Sequence, residues 1–595
     1  MLNISNKPSR FWQELKRRRV VHVITVYASA SYVIIELLNN LAEPLNLPPR
    51  LLTIVIIVLA VGFPLVIVLS WLYELTSGSL ERTRPIDEMP EGEKAKLPNA
   101  WKLATIVSFV VIIGLVVFNL ASWERLVKPG SIPSLVVLPF GNFTGDEVPE
   151  YFVAGIHSSL IGDMGRIGGL RIISQTSSKV NKNRNLSIPQ IASELDVSIV
   201  VEPTVICLGD TICIQVKLFS ALPKETLIWV ADYKVEKSQI QNLYSRITKQ
   251  IADEVKIELT PGEERMLAES RTVNPDAYDA YLKGQFHWER LGKDDLDSAL
   301  HYFKLAIELD PDWADPYADI ALTLGTLRGF QYITGDEIYN DALNYLKKAL
   351  ELDPNTSNSH YVNAMFSVWT LGDWEKGEKE FQKTLELNPN DALCRIYYAH
   401  LLLILHRFDE AIQQANLALK LDPLKPLLLG LYGVVMNFTG NHNAALTQTK
   451  KALALDPENN FAFNMLKESY LATGDTLKWY ELWKTGLWWT TETYLDSLDK
   501  VFQEQGYLAV INDRIRLNEE WYASGKTISF SGQAGRYLII GDYDRAIDYF
   551  EKDYEVNQGM LSYISLETQK FPELKNNKRY IALLKKMNLP LPEAD

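Results

Sequence analysis

Between Ser298 and Pro457 one residue pattern is written five times, and it decides what this stretch can fold into. Each copy carries three mostly small or apolar residues, spaced by four and then three, and closes on Leu-Asx-Pro. Ala299, Phe303 and Ala306 precede Leu309-Asp310-Pro311, and Ala342, Leu346 and Ala349 precede Leu352-Asp353-Pro354. Gly377, Phe381 and Thr384 precede Leu387-Asn388-Pro389. Ala411, Ala415 and Ala418 precede Leu421-Asp422-Pro423, and Ala445, Thr449 and Ala452 precede Leu455-Asp456-Pro457. This spacing sets all three residues on one helix face, where small side chains admit a second helix closely. Proline lacks an N–H and restricts the residue before it, so each helix stops at the Asx. Turn residues such as Leu371-Gly372-Asp373-Trp374 and Thr439-Gly440-Asn441 divide each unit into two helices. One pair alone cannot bury its apolar face, so neighbouring pairs stack.

The closing prolines are 43, 35, 34 and 34 residues apart. A period near 34 resembles that of the tetratricopeptide repeat. The excess in the first step falls around Leu327–Glu337 and reads as a loop insertion. Pro275–Glu289 supplies the first helix of the first repeat, with Tyr278, Tyr281, Gly284 and Trp288. After Pro457 the pattern decays. An aromatic run from Trp479 to Trp489 and a late copy at Gly541-Asp542-Tyr543 imply a helical region capping the array.

The net charge of −14 argues against a broad nucleic-acid face, which needs basic residues. Of three cysteines, Cys207 and Cys213 flank a hairpin turn at Gly209-Asp210. A two-residue turn would point them to opposite faces of the hairpin, so no disulfide is expected.

Three apolar stretches, 20–41, 51–73 and 103–121, are long enough to span a bilayer core at about 1.5 Å per residue. Lys and Arg crowd the N-terminal segment and the loop after residue 73, while the loop 42–50 holds only Arg50. That asymmetry places the N-terminus inside and everything after Ala121 outside an inner membrane, in the periplasm.

In 131–262 the helical period breaks. Ser134–Phe140, Leu170–Ser174, Ile199–Ile206, Thr211–Leu218 and Thr226–Val235 read as strands. They alternate with helices at Tyr151–Ile167, Pro189–Leu195 and Ser238–Glu258, which implies an α/β domain. Leu135-Val136-Val137-Leu138-Pro139-Phe140 with Asn142 and Gly145-Asp146, then Tyr151-Phe152-Val153-Ala154-Gly155-Ile156, resemble the TolB amino-terminal-like (FlgO-like) domain. Leu170-Arg171-Ile172-Ile173-Ser174 and Ile191-Ala192-Ser193-Glu194-Leu195 continue the likeness. Phe11-Trp12, Tyr73-Glu74-Leu75-Thr76 and the closing Arg579-Tyr580, Leu583-Leu584 and Leu589-Pro590 are similar to bacterial membrane proteins joining that domain to tetratricopeptide repeats. The resemblance implies an architecture and a membrane location, and no reaction.

Gly525-Lys526-Thr527 lacks the glycine a P-loop needs five residues earlier, where Glu520 stands. There is no H-E-x-x-H and no G-x-S-x-G. Carboxylates are assigned mostly to solvated faces. No catalytic, metal-binding or cofactor-binding residue is expected, and the chain reads as not an enzyme.

The expected fold is thus multi-domain: N-terminal transmembrane helices (1–130), an α/β middle domain (131–262), and an all-α tetratricopeptide superhelix (263–475) with a helical cap (476–595). The expected function is a membrane-anchored interaction scaffold, with the lipid bilayer and a protein or peptide segment as partners and no nucleic acid. The alternative is a transmembrane sensor whose outer domains bind a ligand. The first helix of each pair lines the concave side. That places Val362, Phe366, Trp369, Ile396, His400, Leu403, Val434 and Asn437 in a partner-binding groove anchored by Trp369. Gly377, where the other copies have alanine, is expected to weaken its helix, so Gly377→Ala should stabilise.

Overall fold

The structure is a computed structural model that describes residues 132–592, apart from 145–148, 180–185, 210, 222–224, 269–271, 330–331, 334–336, 488–489 and 557, with scattered positions between 24 and 82. The chain divides into two units, 1–128 and 129–595, each described by itself.

In the first unit, β1 (Tyr73–Thr76) pairs antiparallel with β2 (Ser79–Arg82), Tyr73 facing Arg82. Tyr73, expected to close the second membrane span, therefore opens a strand. Among the described residues no helix is long and apolar enough to cross a membrane. The expected 103–121 span and most of 20–41 and 51–73 lie outside the described residues. The expectation of transmembrane helices, a bilayer partner, an inner-membrane location with periplasmic domains and a sensor acting through spans is corrected by these findings.

The second unit opens with a sheet of strand order β5-β3-β6-β7-β8, with β4 also paired to β6. Its strands are β3 (Ser134–Val137), β4 (Gly141–Asn142), β5 (Arg171–Ile172), β6 (Ile199–Cys207), β7 (Thr211–Ser220) and β8 (Thr226–Glu236). β3 lies parallel to β5 and β6, and β6-β7-β8 form an antiparallel meander. Side chains alternate across a strand. Leu135 and Val137 meet α1 (Glu150–Gly165) through Phe152, Ile156 and Leu160, and the same core takes Leu243, Ile247 and Ile251 of α4 (Ile240–Glu254). Val136 and Val200 point the other way, onto Ile191 and Leu195 of α3 (Ile188–Leu195). The short α2 (Gln175–Lys179) follows β5, and α5 (Pro261–Ala268) follows α4 as a separate helix.

Cys207 and Cys213 form a disulfide, contrary to expectation. Val205 pairs with Ile214, but Cys207 pairs with Cys213, because an extra residue at Ile206 shifts the register. Such a bulge turns one residue out of alternation. It brings the two cysteines directly opposite, with Cα atoms 4.8 Å apart.

The repeats are the expected helix pairs: α6 (Pro275–Trp288) with α7 (Lys293–Leu309), then α8 (Ala314–Gly329) with α9 (Glu337–Leu352). The third is α10 (Ser357–Phe366), a π-turn over Ser367–Leu371, and α11 (Trp374–Leu387); the fourth is α12 (Ala392–Ile404) with α13 (Phe408–Leu421). The fifth and sixth are α14 (Pro426–Phe438) with α15 (His442–Leu455), and α16 (Asn460–Ala472) with α17 (Thr476–Thr485). Every second helix through α15 ends one residue before its Asx-Pro, and Ala299, Ala349, Ala411 and Ala445 are buried between helices. The helices α18 (Glu492–Gln505), α19 (Tyr507–Ala523), α20 (Phe530–Ile540) and α21 (Tyr543–Val556) follow. A 3-10 segment (Gln558–Leu566), α22 (Glu567–Lys570) and α23 (Lys578–Lys586) close the chain's described part.

The sheet domain and the array are joined twice. Tyr278, Tyr281 and Phe303 of the first repeat lie in the same apolar core as Ile156 and Ile247. Further along, the turn after α11 docks through Asn390. Its amide nitrogen donates to the carbonyls of Gly165, Ile167 and Leu170 at 3.0, 3.2 and 2.9 Å, and its oxygen accepts from Ile172 N at 3.0 Å. Ser177 Oγ donates to Asp422 at 2.6 Å and accepts from Leu424 N at 2.9 Å, fixing the next turn.

Candidate partner-binding site

All eight residues expected in the groove sit on inner helices or their ends, and seven of them are buried; Trp369 is half-buried. Val362, Phe366, Ile396, Leu403 and Val434 share one apolar cluster with Leu566. Trp369 packs edge-on against Phe381 and Tyr397, at centroid distances of 6.2 and 5.4 Å. Asn437 ties α14 to α16, donating to Met465 O at 3.0 Å and accepting from Ser469 Oγ at 2.8 Å.

This part of the inner surface has an occupant from the same chain. Residues 561–566 lie against α12, with Tyr563 Oη 2.7 Å from His400 Nδ1 and Ser565 Oγ donating to Ile404 O at 3.4 Å. His400 Nε2 lies 3.0 Å from Leu431 O, so it carries the proton and donates, and Nδ1 accepts from the tyrosine. Burial pushes His400 down to about 4, which keeps the ring neutral.

A different stretch of the inner surface is open. A cavity of about 680 Å³ lies between α1 and the starts of α8, α10 and α12. From α1 it takes Ser158, Ser159 and Asp163, and from the repeats Tyr281, Asp315, Asp319 and Asp391. Asp319 is buried on α8, accepts from Asn358 Nδ2 at 2.6 Å, and is pushed up to about 7 by burial. Asp315 accepts from Trp313 Nε1 at 2.9 Å and Thr356 Oγ1 at 3.1 Å. Asp163 accepts from Ser245 Oγ at 3.1 Å, and burial raises it above the usual carboxylate range. Asp391 caps α12 by accepting from Cys394 N at 2.9 Å, and is raised by burial too. Sequence reasoning had assigned such carboxylates to solvated faces. A usable signal was present at Asp319, which stands in the run Ala318-Asp319-Ile320-Ala321 on an inner helix. Among the described residues no group of three or more His, Cys, Asp or Glu could hold a metal ion.

The tetratricopeptide repeat family model matches residues 380–413. A protein of Rhizobium meliloti (strain 1021) named putative adenylate cyclase 3 is 28% identical over 193 residues, 32% of this chain and 32% of that protein. The chain therefore matches about a third of that relative's length. Among solved structures, a thermophilic TPR protein of Thermus thermophilus is 18% identical, with a TM-score of 0.28 over 33% of this chain and 99% of its own. YrrB, described as a TPR protein with an unusual peptide-binding site, is 24% identical, with a TM-score of 0.21 over 31% of this chain and 91% of its own. The match to the family model supports a repeat protein, and corrects the resemblance to membrane proteins with a TolB amino-terminal-like (FlgO-like) domain. The expectation of a chain that is not an enzyme is corrected by the similarity to a protein named as a cyclase.

Proposed function

We propose that the chain is a protein-binding scaffold whose repeat array receives an extended segment of a partner in the cavity between α1 and the inner helices. The carrying observation is that this stretch of the inner surface stays open over about 680 Å³. The groove of Val362, Phe366, Trp369, Ile396, His400, Leu403, Val434 and Asn437 has a different occupant in this reading: it holds residues 561–566 of the same chain. Stacked helix pairs with a concave face suit extended or helical segments. Photo-crosslinking from Ser158 in the full chain, against Lys348 on an exposed helix face, tests the reading. One defined partner captured from position 158 and absent from 348 is expected; equal capture from both, or from neither, refutes it.

The similarity to putative adenylate cyclase 3 supports a second reading, an enzymatic lineage. Assay of the purified full chain for cyclic AMP formation from ATP tests it, and no product above the blank refutes it.

A further inference from the structure

We propose that the Cys207–Cys213 disulfide is a site of reversible thiol exchange, open to small thiols such as glutathione while the chain stays folded. The two cysteines face each other across β6 and β7. Ile212 and Ile214 of β7 are buried in the core of the sheet domain, so Cys213 between them points to the opposite, outer face. Cys207, directly across, shares that face, and both cysteines are half-buried. Beside them on the same face stand Thr211 and Gln215, half-buried, and Asp232, Lys234 and Glu236, exposed. Among the described residues, α3 covers this side of the sheet at Val200, about 23 Å back along β6 from Cys207. A thiol therefore reaches the sulfurs without unfolding the domain.

The hairpin does not depend on the bond. A disulfide stabilises mainly by restricting the unfolded chain, and least across a short loop; this one joins residues six apart. β7 is held by β8 from Thr211 to Ser220, and by β6 from Ile214 onwards. The two sulfurs also differ in their surroundings. β7 is the middle strand of the meander, and Lys234 of β8 lies directly across from Cys213 on the side away from Cys207. Side chains paired in this way stand about 5 Å apart at Cβ. Of the acids flanking Lys234 on the same face, Asp232 accepts from Gln215 Nε2 at 2.9 Å and Glu236 stands opposite Thr211. A neighbouring cation favours the thiolate, so Cys213 is the better leaving group. The incoming thiolate attacks Cys207 Sγ; the Cys207–Cys213 bond breaks, and its electron pair leaves on Cys213 Sγ beside the Lys234 ammonium. The new S–S bond joins the small thiol to Cys207. A second thiolate attacks the sulfur of the first and departs with it as a disulfide, leaving the Cys207 thiolate. Two small thiols are thus oxidised to one disulfide as Cys207 and Cys213 are reduced, and the two cysteine sulfurs take up the protons that the small thiols lose.

The test uses the folded full chain, first treated with oxidised glutathione, then with reduced glutathione or dithiothreitol, quenched with iodoacetamide and mapped by mass spectrometry. Glutathione should appear on Cys207 with Cys213 alkylated. Dithiothreitol should reduce the pair at a rate proportional to its concentration and no faster in urea below the unfolding transition. Cys394, buried on α12, is the internal control and should stay unalkylated. Lys234→Gln should slow the first step about threefold, because a leaving thiol about tenfold less acidic changes the rate by that factor at a Brønsted sensitivity near 0.5. Lys234→Arg should restore the rate, and salt at about 1 M should erase the difference. Reduction that proceeds only as the chain unfolds, with Cys394 alkylated alongside, overturns the proposal. So do free thiols at both positions after treatment with oxidised glutathione. Adducts mainly on Cys213, or a Lys234→Gln chain that reacts as fast as the parent, overturn the assignment of Cys213 as the leaving group.

Discussion

Gly377→Ala separates helix propensity from packing. Propensity alone predicts a gain of roughly 0.5–1 kcal/mol, since glycine costs about that much in a helix interior. The structure reverses the sign. Gly377 is buried on α11, and a Cβ there would fall on Val368 Cγ2, well inside contact distance. Val368 is itself buried, in the π-turn over 367–371, so its methyl cannot move into solvent. A β-branched side chain has few rotamers to retreat into, and the backbone N of Val368 lies 3.6 Å from the same point. Overpacking of this kind costs about 1–3 kcal/mol. Net of propensity, Gly377→Ala should destabilise by about 0.5–2 kcal/mol. Urea denaturation of the full chain, followed by tryptophan fluorescence, would show a lower midpoint. Val368→Ala removes the colliding methyl, so adding Gly377→Ala to it should be neutral or stabilising, with a coupling above about 1 kcal/mol. A midpoint raised by Gly377→Ala alone, or additive effects of the two changes, would refute the argument.

Three other outcomes follow from named contacts. Burial lifts Asp319 to about 7, against an ordinary value near 3.9. It faces Asp315 on its own helix, Tyr281 and Gln285 on α6, and Asn358 on α10. The folded chain keeps a proton that the unfolded chain releases, so this group's contribution to stability falls as pH rises from about 4 to about 7. Asp319→Asn should flatten that slope by at most about 4 kcal/mol, and an unchanged urea-midpoint profile between pH 4 and 8 would count against it. Tyr563→Phe leaves the buried Nδ1 of His400 without its donor and should cost about 1–3 kcal/mol; an unaltered melt would show that 561–566 is only loosely seated. Asn390→Ala removes four hydrogen bonds to the sheet domain. It should cost more than about 2 kcal/mol and speed amide exchange at Ile172, whereas unchanged exchange there would show that the docking does not depend on Asn390.

The repeats were legible because their signal is local: three face residues and an Asx-Pro stop fix each helix without knowledge of its neighbours. The strands of the sheet domain were legible for the same reason, through β-branched runs such as Ser134–Val137. The disulfide was not. One bulged residue, Ile206, decides whether Cys207 faces Cys213, and nothing in the run Val205-Ile206-Cys207 announces it. The cavity was illegible for a stronger reason. Asp163, Asp319 and Asp391 are separated by 156 and 72 residues and meet only because the sheet domain folds back onto the array.

That folding back also explains why the cavity stays open. The sheet domain is fixed to the array at two places. At one, Tyr278 and Phe303 of the first repeat enter its core. At the other, Asn390 and Asp422 in the turns after α11 and α13 bond to it. Between these anchors α1 passes in front of the starts of α8, α10 and α12, and presents small residues, Ser158, Ser159 and Gly162, where larger ones would fill the gap. A gap spanned by two separate attachments cannot close by a local side-chain movement, since its width is set by the rigid helices on both sides. A segment entering it would meet walls already in place and forgo much of the ordering cost of binding. The groove beneath Tyr563 differs: its wall on one side is the chain's own 561–566, so a partner there would first have to displace that segment.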